Sequence, residues 1–130
     1  MELKHPDIDK LPKTLKHISR WQNRDSILQI GLLPNIGEVY ADYWMKAYPN
    51  ETLTPAIFLS RAPYISTVNG AAACFDIWEV NTGYLDFNKL FVDPAFEHSR
   101  KLSFMYFAAI PIDKLTLKKK SKYCHKIIRC

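Results

Sequence analysis

The chain lacks the long runs and repeats that mark membrane, fibrous and disordered proteins. No stretch approaches the roughly 18 consecutive apolar residues that a membrane-spanning helix needs. No positively charged start leads into an apolar run, so we expect no secretory signal. The 130 residues are 48% hydrophobic and 24% charged. This composition indicates one globular domain and excludes disorder, collagen and coiled coil as descriptions of the whole chain.

Glycine is scarce as well. The chain has four glycines, and they form neither a GxGxxG nor a GxxxxGK pattern. In doubly wound α/β folds those patterns hold the phosphates of a dinucleotide or a nucleoside triphosphate. Their absence argues against a Rossmann or P-loop domain.

Cysteine is present in an odd number, three, which argues against a disulfide framework. Cys74 lies in the apolar run AAACF, and we interpret it as a small buried hydrophobe. Cys124 and Cys130 have His125 between them, but a zinc site needs four ligands. We therefore expect reduced cysteines and a cytoplasmic protein.

Acidic residues are missing from the C-terminal end. From Lys114 onward there are seven lysines and arginines and no aspartate or glutamate, within a net charge of +5. The rest of the chain is close to neutral, so any attraction to phosphates comes mainly from this end. Two interpretations stay open: a solvated, frayed end, or an electrostatic contact with nucleic acid that has no sequence specificity.

Local patterns place helices early in the chain and strands late. Prolines indicate an extended lead-in over residues 1–13. Asn23 is placed to cap a helix with an apolar stripe, and Gly31 is placed to end it. The stripe consists of Ile27, Leu28 and Ile30. Strands are predicted from alternation, β-forming residues and apolar runs at 14–20, 56–60, 75–81, 103–111 and 112–117.

The predicted strand at 75–81 has two distinct faces. One face carries Phe75, Ile77 and Glu79, and the other carries Asp76, Trp78 and Val80. The alternation of apolar and polar residues is imperfect, which indicates a strand that is covered on both sides.

This order predicts an α+β fold with a split, mainly antiparallel β-sheet. We assign residues 14–117 to a single domain and residues 118–130 to a basic tail. Short helices are also expected at 38–48 and around 65–73. The first of these carries four aromatic residues, which predict either a core face or a face for a partner. These are Tyr40, Tyr43, Trp44 and Tyr48.

His17 and Ser19 stand two residues apart on the first predicted strand, so they share one face. An imidazole and a hydroxyl side by side can hold a polar ligand with fixed donors and acceptors. The alternative is a core histidine that is satisfied by the backbone, with Ser19 merely ending the strand.

Several motifs occur in a familiar order. The first strand contains His17-Ile18-Ser19, and the helix that follows contains Asn23 and Ser-Ile-Leu before Gly-Leu-Leu-Pro. Farther along come AIFLS, FDIWEVNTGYL and FMYFAAIPIDKL. In this order and spacing the chain resembles the ADP-ribosyltransferase-like proteins over about residues 14–117. The resemblance implies a split-sheet fold with an NAD-binding cleft, and transfer of ADP-ribose from NAD to a protein or nucleic-acid acceptor.

The resemblance also implies roles for particular residues. His17 would hydrogen-bond the nicotinamide side of NAD, with Ser19 as its companion. Phe58 would lie near the nicotinamide ring, and Ser60 would offer a hydroxyl at the end of that strand. Arg20 is the arginine best placed for the pyrophosphate, because guanidinium groups suit bidentate phosphate contacts. Surface charge is the alternative interpretation of Arg20.

One feature departs from the family pattern. Many members place a glutamate on the closing strand, where it stabilises the positive charge that develops on the ribose. Here that position is Ser103, and no glutamate lies between Lys101 and Ile110. Glu97, just before the closing strand, is the preferred substitute. The other candidates are Glu79, Asp76 and Asp113.

Other functions remain open from the sequence. The missing glutamate favours a binding module that keeps the fold without the chemistry and uses the aromatic segment and the basic tail. A weaker likeness to RNA 2′-phosphotransferases would use His17, Arg20 and Arg61. A small nucleic-acid-associated protein driven by its tail charge is a further alternative. The enzyme would be compatible with a toxin, a phage effector, a defence factor or RNA processing.

Overall fold

A computed structural model describes residues 3–35, 45–46, 48–50, 54–62, 74–94 and 103–121. These residues include the α-helix Arg24–Ile30, six β-strands and several short 3-10 turns, and Met45 and Lys46 are helical as well. The regular elements are β1 (Thr14–Arg20), α1 (Arg24–Ile30), β2 (Ile57–Ser60), β3 (Phe75–Asn81), β4 (Leu90–Val92), β5 (Ser103–Tyr106) and β6 (Leu115–Lys119). The predicted strands at 14–20, 56–60 and 75–81 are confirmed to within one residue. The predicted helix at 38–48 and the helix around 65–73 fall largely or wholly outside the described residues.

The six strands form one sheet in the order β4-β5-β2-β1-β3-β6, and every neighbouring pair is antiparallel. The prediction of an α+β fold with an antiparallel sheet is therefore confirmed. β6 extends to Lys119, so the sheet continues past the predicted domain end at residue 117.

The central pair is β1 with β3, which stay in register from Thr14↔Asn81 to Arg20↔Phe75. Side chains alternate between the two faces of a strand, so Asp76, Trp78 and Val80 share the buried face of β3. This alternation confirms the predicted division of β3 into two faces. The other face of β3 is only half-buried, so it is covered less than we expected.

β1 and β2 meet at a single register pair, Lys16↔Ser60. Three strands lie on each side of this junction: β4, β5 and β2 on one side, and β1, β3 and β6 on the other. The two halves of the sheet are therefore joined through a much shorter ladder than the one that joins β1 to β3.

Each face of the sheet carries an apolar cluster. The larger one contains Leu15 from β1, Leu59 from β2 and Trp78 from β3, all at most 1% exposed. The smaller one contains Ala56, Phe58 and Met105, with Tyr48 and Phe107 packed against it. Tyr48 is thus a core contact, as one of the two interpretations of the aromatic segment expected. Tyr40, Tyr43 and Trp44 lie outside the described residues.

Helix α1 ends at Gly31, as predicted, but it buries fewer of its apolar side chains than predicted. Of the expected apolar stripe, Ile27 is buried, whereas Leu28 is 49% and Ile30 is 54% exposed. The helix has only seven residues, and Ile30 is the last of them. Leu28, one position after Ile27, points away from the face that Ile27 buries. The stripe prediction was wrong for these two side chains.

The residues before β1 are attached to the edge of the sheet. The Lys4 carbonyl accepts a hydrogen bond from the Val92 backbone N–H at 2.8 Å. The His5 Nδ1–H donates to the Leu90 carbonyl at 2.9 Å. A 3-10 turn at Ile8–Lys10 follows. The expected lead-in thus covers part of the outer edge of β4 rather than extending freely.

For Cys74 the structure contradicts the prediction of a reduced cysteine. Its side chain is 2% exposed, as expected for a small hydrophobe, but it is disulfide-bonded and is not a free thiol. The odd count misled the prediction, because an odd number leaves one cysteine over and still allows one pair. Among the described residues no helix is both long and apolar enough to cross a membrane.

Gly31 has a backbone that other residues rarely adopt, with φ at 74°. A Cβ placed there would lie 2.2 Å from the Ile110 carbonyl oxygen, because Leu32 and Ile110 form an antiparallel bridge next to it. Gly31→Ala is therefore expected to lower the free energy of unfolding by more than about 1 kcal/mol. Gly83→Ala is the control, because the nearest atom there is a side-chain oxygen of Asn81 at 3.2 Å. Equal urea denaturation midpoints for the two variants would contradict this account.

Candidate functional site

His17 lies on β1 beside the short junction with β2. Its Nδ1 atom is 2.8 Å from the Phe58 carbonyl oxygen. A carbonyl only accepts hydrogen bonds, so Nδ1 must carry a proton and donate it. This bond lies beside the register pair Lys16↔Ser60, where β1 meets β2. His17 therefore links the two halves of the sheet through its side chain.

The chemical state of His17 follows from this contact and from its surroundings. Burial disfavours the charged imidazolium and lowers the pKa of His17 below its ordinary value of 6.5, while the bond to Phe58 acts in the opposite direction and is the smaller effect. Near neutral pH the ring is therefore uncharged, with its proton on Nδ1. Nε2 then keeps its lone pair and makes no hydrogen bond to any described residue.

Ser19 is placed on the same face as His17 but is already engaged. Its side chain is 7% exposed, and its Oγ accepts a hydrogen bond from the Trp78 indole N–H at 3.0 Å. Trp78 is the register partner of His17 on β3. The pair implied by the resemblance is thus a group of three residues, in which Trp78 contacts Ser19 and stands opposite His17.

A buried ion pair lies beside this group, at the register position of Ser19. The Arg24 Nε and Nη2 atoms donate to the two carboxylate oxygens of Asp76 at 2.8 and 2.7 Å. Asp76 is fully buried, and its Oδ1 also accepts from the Ser121 backbone N–H at 2.6 Å. Asp76 is opposite Ser19 in the β1–β3 ladder. This cluster joins α1 and the chain after β6 to the strand that carries Trp78.

The remaining residues implied to bind NAD lie on the other face of the sheet. Ser60 is the register partner of Lys16. Strand alternation places both side chains on the face of the sheet that His17 does not occupy. The Phe58 ring belongs to the smaller apolar cluster on that face, although its carbonyl meets His17. Arg20 is exposed and three residues from His17, so it also points away from the face of His17. The structure thus brings together His17, Ser19 and the Phe58 backbone, but not these three side chains.

The same alternation sorts the candidate carboxylates. Glu79 is paired with Lys16 and Lys118 at 3.8 and 3.9 Å on the face opposite His17. Asp76 shares the face of His17, but Arg24 occupies it. Asp113 lies on a 3-10 turn with its side chain 72% exposed, beside Lys114.

Glu97 and Ser103 are the two residues that bear on the family's glutamate on the closing strand. Glu97 lies outside the described residues. Ser103, which stands where the family pattern has glutamate, is the register partner of Ser60 at the start of β5. None of the described candidate carboxylates is therefore both available and on the face of His17.

Sequence reasoning missed two contacts, the one between Trp78 and Ser19 and the one between Arg24 and Asp76. Alternation along β3 had shown that Asp76 and Trp78 share a face. The pairing of that face with β1 needed knowledge of strand order, which local patterns do not contain. Within the described part of the chain, no group of three or more His, Cys, Asp or Glu side chains is arranged to hold a metal ion.

Comparisons with protein-family models, with curated proteins and with solved structures found no match to this chain.

The lowered pKa of His17 makes a pH-dependent contribution to stability. In the unfolded chain His17 takes up a proton near its ordinary pKa of 6.5, whereas the folded protein resists protonation until a lower pH. The contribution is therefore fully present above pH 6.5 and declines as the pH falls below it, with a slope of at most about 1.4 kcal/mol per pH unit.

Urea denaturation of the wild type and of His17→Asn between pH 5 and 8 measures this contribution as the difference between the two proteins. Asparagine does not titrate, and its amide can still donate toward the Phe58 carbonyl. A difference in unfolding free energy that stays constant over that range would show that His17 does not titrate differently on folding.

The buried ion pair allows a second test of the network. Arg24→Met or Asp76→Asn leaves one charged group buried without its partner, which costs about 3–5 kcal/mol. The double variant is expected to lose less than the sum of the two single variants, because no uncompensated charge remains. Additive losses in urea denaturation would mean that the two side chains do not depend on each other.

Proposed function

We propose that the protein transfers ADP-ribose from NAD to a macromolecular acceptor, either protein or nucleic acid. The observation that carries the proposal is the state of His17. It is a half-buried, neutral imidazole that donates to the Phe58 carbonyl, and its Nε2 makes no hydrogen bond to any described residue. A structural histidine needs only the first bond. The second nitrogen is suited to accept a hydrogen bond from a ribose hydroxyl on the nicotinamide side of NAD.

The proposed reaction breaks the bond between nicotinamide and ribose. Nicotinamide leaves with the bonding electrons, and an oxygen or nitrogen atom of the acceptor bonds to the anomeric carbon and gives up its proton to a base. Positive charge grows on the ribose in between, so a nearby carboxylate lowers the barrier. We assign this role, and that of the base, to Glu97. In support, the described alternatives Glu79, Asp76 and Asp113 are paired, buried or on another face.

The other residues take supporting roles in this proposal. Ser19 holds Trp78 in place beside His17 and makes no contact of its own with the substrate. Arg20 contacts the pyrophosphate, and Phe58 and Ser60 line the strand next to the nicotinamide. These last three assignments require NAD to pass the end of the β1–β2 junction, since their side chains lie on the face opposite His17. The fold that we propose is ADP-ribosyltransferase-like, with a β-sheet that is split at the β1–β2 junction.

A non-catalytic binding module on the same fold is the second candidate. Ser103 at the glutamate position favours it, because a binding site for NAD does not need to stabilise charge on the ribose. Its contacts with a protein or nucleic-acid partner would come from the aromatic segment and the basic tail. We place either activity in the cytoplasm, where NAD is supplied, although the disulfide at Cys74 is unusual for a reducing compartment.

Nicotinamide release from NAD tests the proposal without knowledge of the acceptor, because water can replace it. Wild-type protein is expected to bind NAD in calorimetry and to release nicotinamide slowly. His17→Ala and His17→Asn should both weaken NAD binding by about tenfold or more, equivalent to about 1.4 kcal/mol, through loss of Nε2. His17→Asn alone should keep near-wild-type stability.

The variants separate the possible explanations. If His17→Asn keeps full NAD binding, Nε2 has no part in the site and His17 is structural. Glu97→Gln should abolish nicotinamide release and leave NAD binding intact. Binding without release in the wild type would support the binding module, and absence of both would overturn the proposed function.

A further inference from the structure

The two outer edges of the sheet are finished in different ways. At the β4 edge, Leu90 donates its N–H to the Phe87 carbonyl, and its own carbonyl accepts a hydrogen bond from His5. The Val92 N–H donates to the Lys4 carbonyl at 2.8 Å. Residues of a turn and of the lead-in therefore occupy backbone groups of β4 that do not pair with β5.

β6 forms the other edge of the sheet and is left open. Its first residue, Leu115, donates its N–H to the Ile112 carbonyl. After that point, no described residue outside β3 makes a hydrogen bond to the backbone of residues 116–119. Alternate residues of an edge strand direct their N–H and C=O groups away from the sheet. β6 therefore presents a short row of donors and acceptors that an added strand can complete.

The two faces of β6 differ in their chemistry. Leu115 and Leu117 are half-buried and pack against the larger apolar cluster. Thr116 lies on the other face, as the register partner of Glu79. Lys118 reaches that face too, because its Nζ atom is 3.9 Å from Oε1 of Glu79. A strand added beside β6 would therefore meet apolar side chains on one face and a lysine on the other.

Positive charge exceeds negative charge at this edge. Glu79 is shared between two lysines, since Lys16 lies 3.8 Å from its second oxygen, and the side chain of Lys118 stays 50% exposed. Lys119 and Lys120 follow and are exposed as well. A second copy of this chain would bring the same lysines to the interface, where like charges repel. An acidic strand is attracted instead.

We propose that the open edge of β6 binds an extended segment of another protein by strand addition, and that this segment alternates acidic and apolar residues. Its backbone completes the hydrogen bonds of β6, its acidic side chains pair with Lys118, and its apolar side chains pack beside Leu115 and Leu117. A nucleic acid would match only the charges, because it has no peptide backbone to continue the ladder. This inference does not depend on the proposed reaction with NAD.

A short peptide of alternating glutamate and valine is the probe, and the full chain is the protein tested. Calorimetry should show binding, and hydrogen exchange should become slower within residues 116–119 when the peptide is present. The matched peptide with lysine in place of glutamate should not bind. Absence of binding, or protection that appears elsewhere in the sheet but not in β6, would overturn the proposal.

Two modified peptides separate strand pairing from attraction between charges. Glutamate and valine alternate, so their backbone N–H groups point to opposite edges of the bound strand. N-methylation of one residue type removes the donors that face β6, whereas N-methylation of the other type leaves them in place. One of the two peptides should keep its affinity, and the other should bind at least about tenfold more weakly. Equal affinities would show that no ladder forms with β6.

Charge variants of the protein complete the test. Lys118→Gln should weaken binding of the peptide by about two- to fivefold, because it removes the charge that faces the glutamates. Lys89→Gln is the matched control, since Lys89 is exposed directly before β4 and its loss changes the net charge equally. Equal losses in the two variants would overturn the proposal. So would a single-stranded oligonucleotide that displaces the peptide and binds more tightly, or a peptide-free dimer that protects β6 from exchange.

Discussion

The hydrogen bond from His17 Nδ1–H to the Phe58 carbonyl is the contact on which the proposed site depends. Two three-stranded halves of the sheet meet here through one register pair. A strand that leaves its neighbour early exposes a carbonyl that must find another donor. The imidazole supplies that donor, and the same bond fixes which ring nitrogen carries the proton. A requirement of the fold thus produces a defined chemical group at the junction.

Polar groups behind this junction are buried in pairs that satisfy one another. Trp78 donates to Ser19, and Arg24 and the Ser121 backbone donate to Asp76. Burying a charge in the interior is costly unless it has both a partner and hydrogen bonds, and Asp76 has three donors. The cluster therefore connects α1, β3 and the end of the described chain at one point.

The two faces of the sheet separate candidate site residues that the sequence alone could not separate. His17 and Ser19 share a face with the large apolar cluster, while Lys16, Ser60 and Glu79 lie on the other. In the proposed reaction, a carboxylate that serves the ribose would approach from the side of His17. This geometry explains why Glu79, which is near His17 in the ladder, is not its chemical partner. Our proposal of Glu97 for that role rests on its position in the sequence.

The sequence by itself determined the elements whose signals are local. Alternation placed β1 and β3 and divided β3 into faces, and Gly31 marked the end of α1. It also placed His17 and Ser19 on one face. Only the tertiary structure decided that Trp78 holds Ser19 across 59 positions, that Leu28 and Ile30 remain exposed, and that Cys74 is paired. Strand order and cross-links join residues far apart in the chain, so no pattern within a short window of sequence contains them.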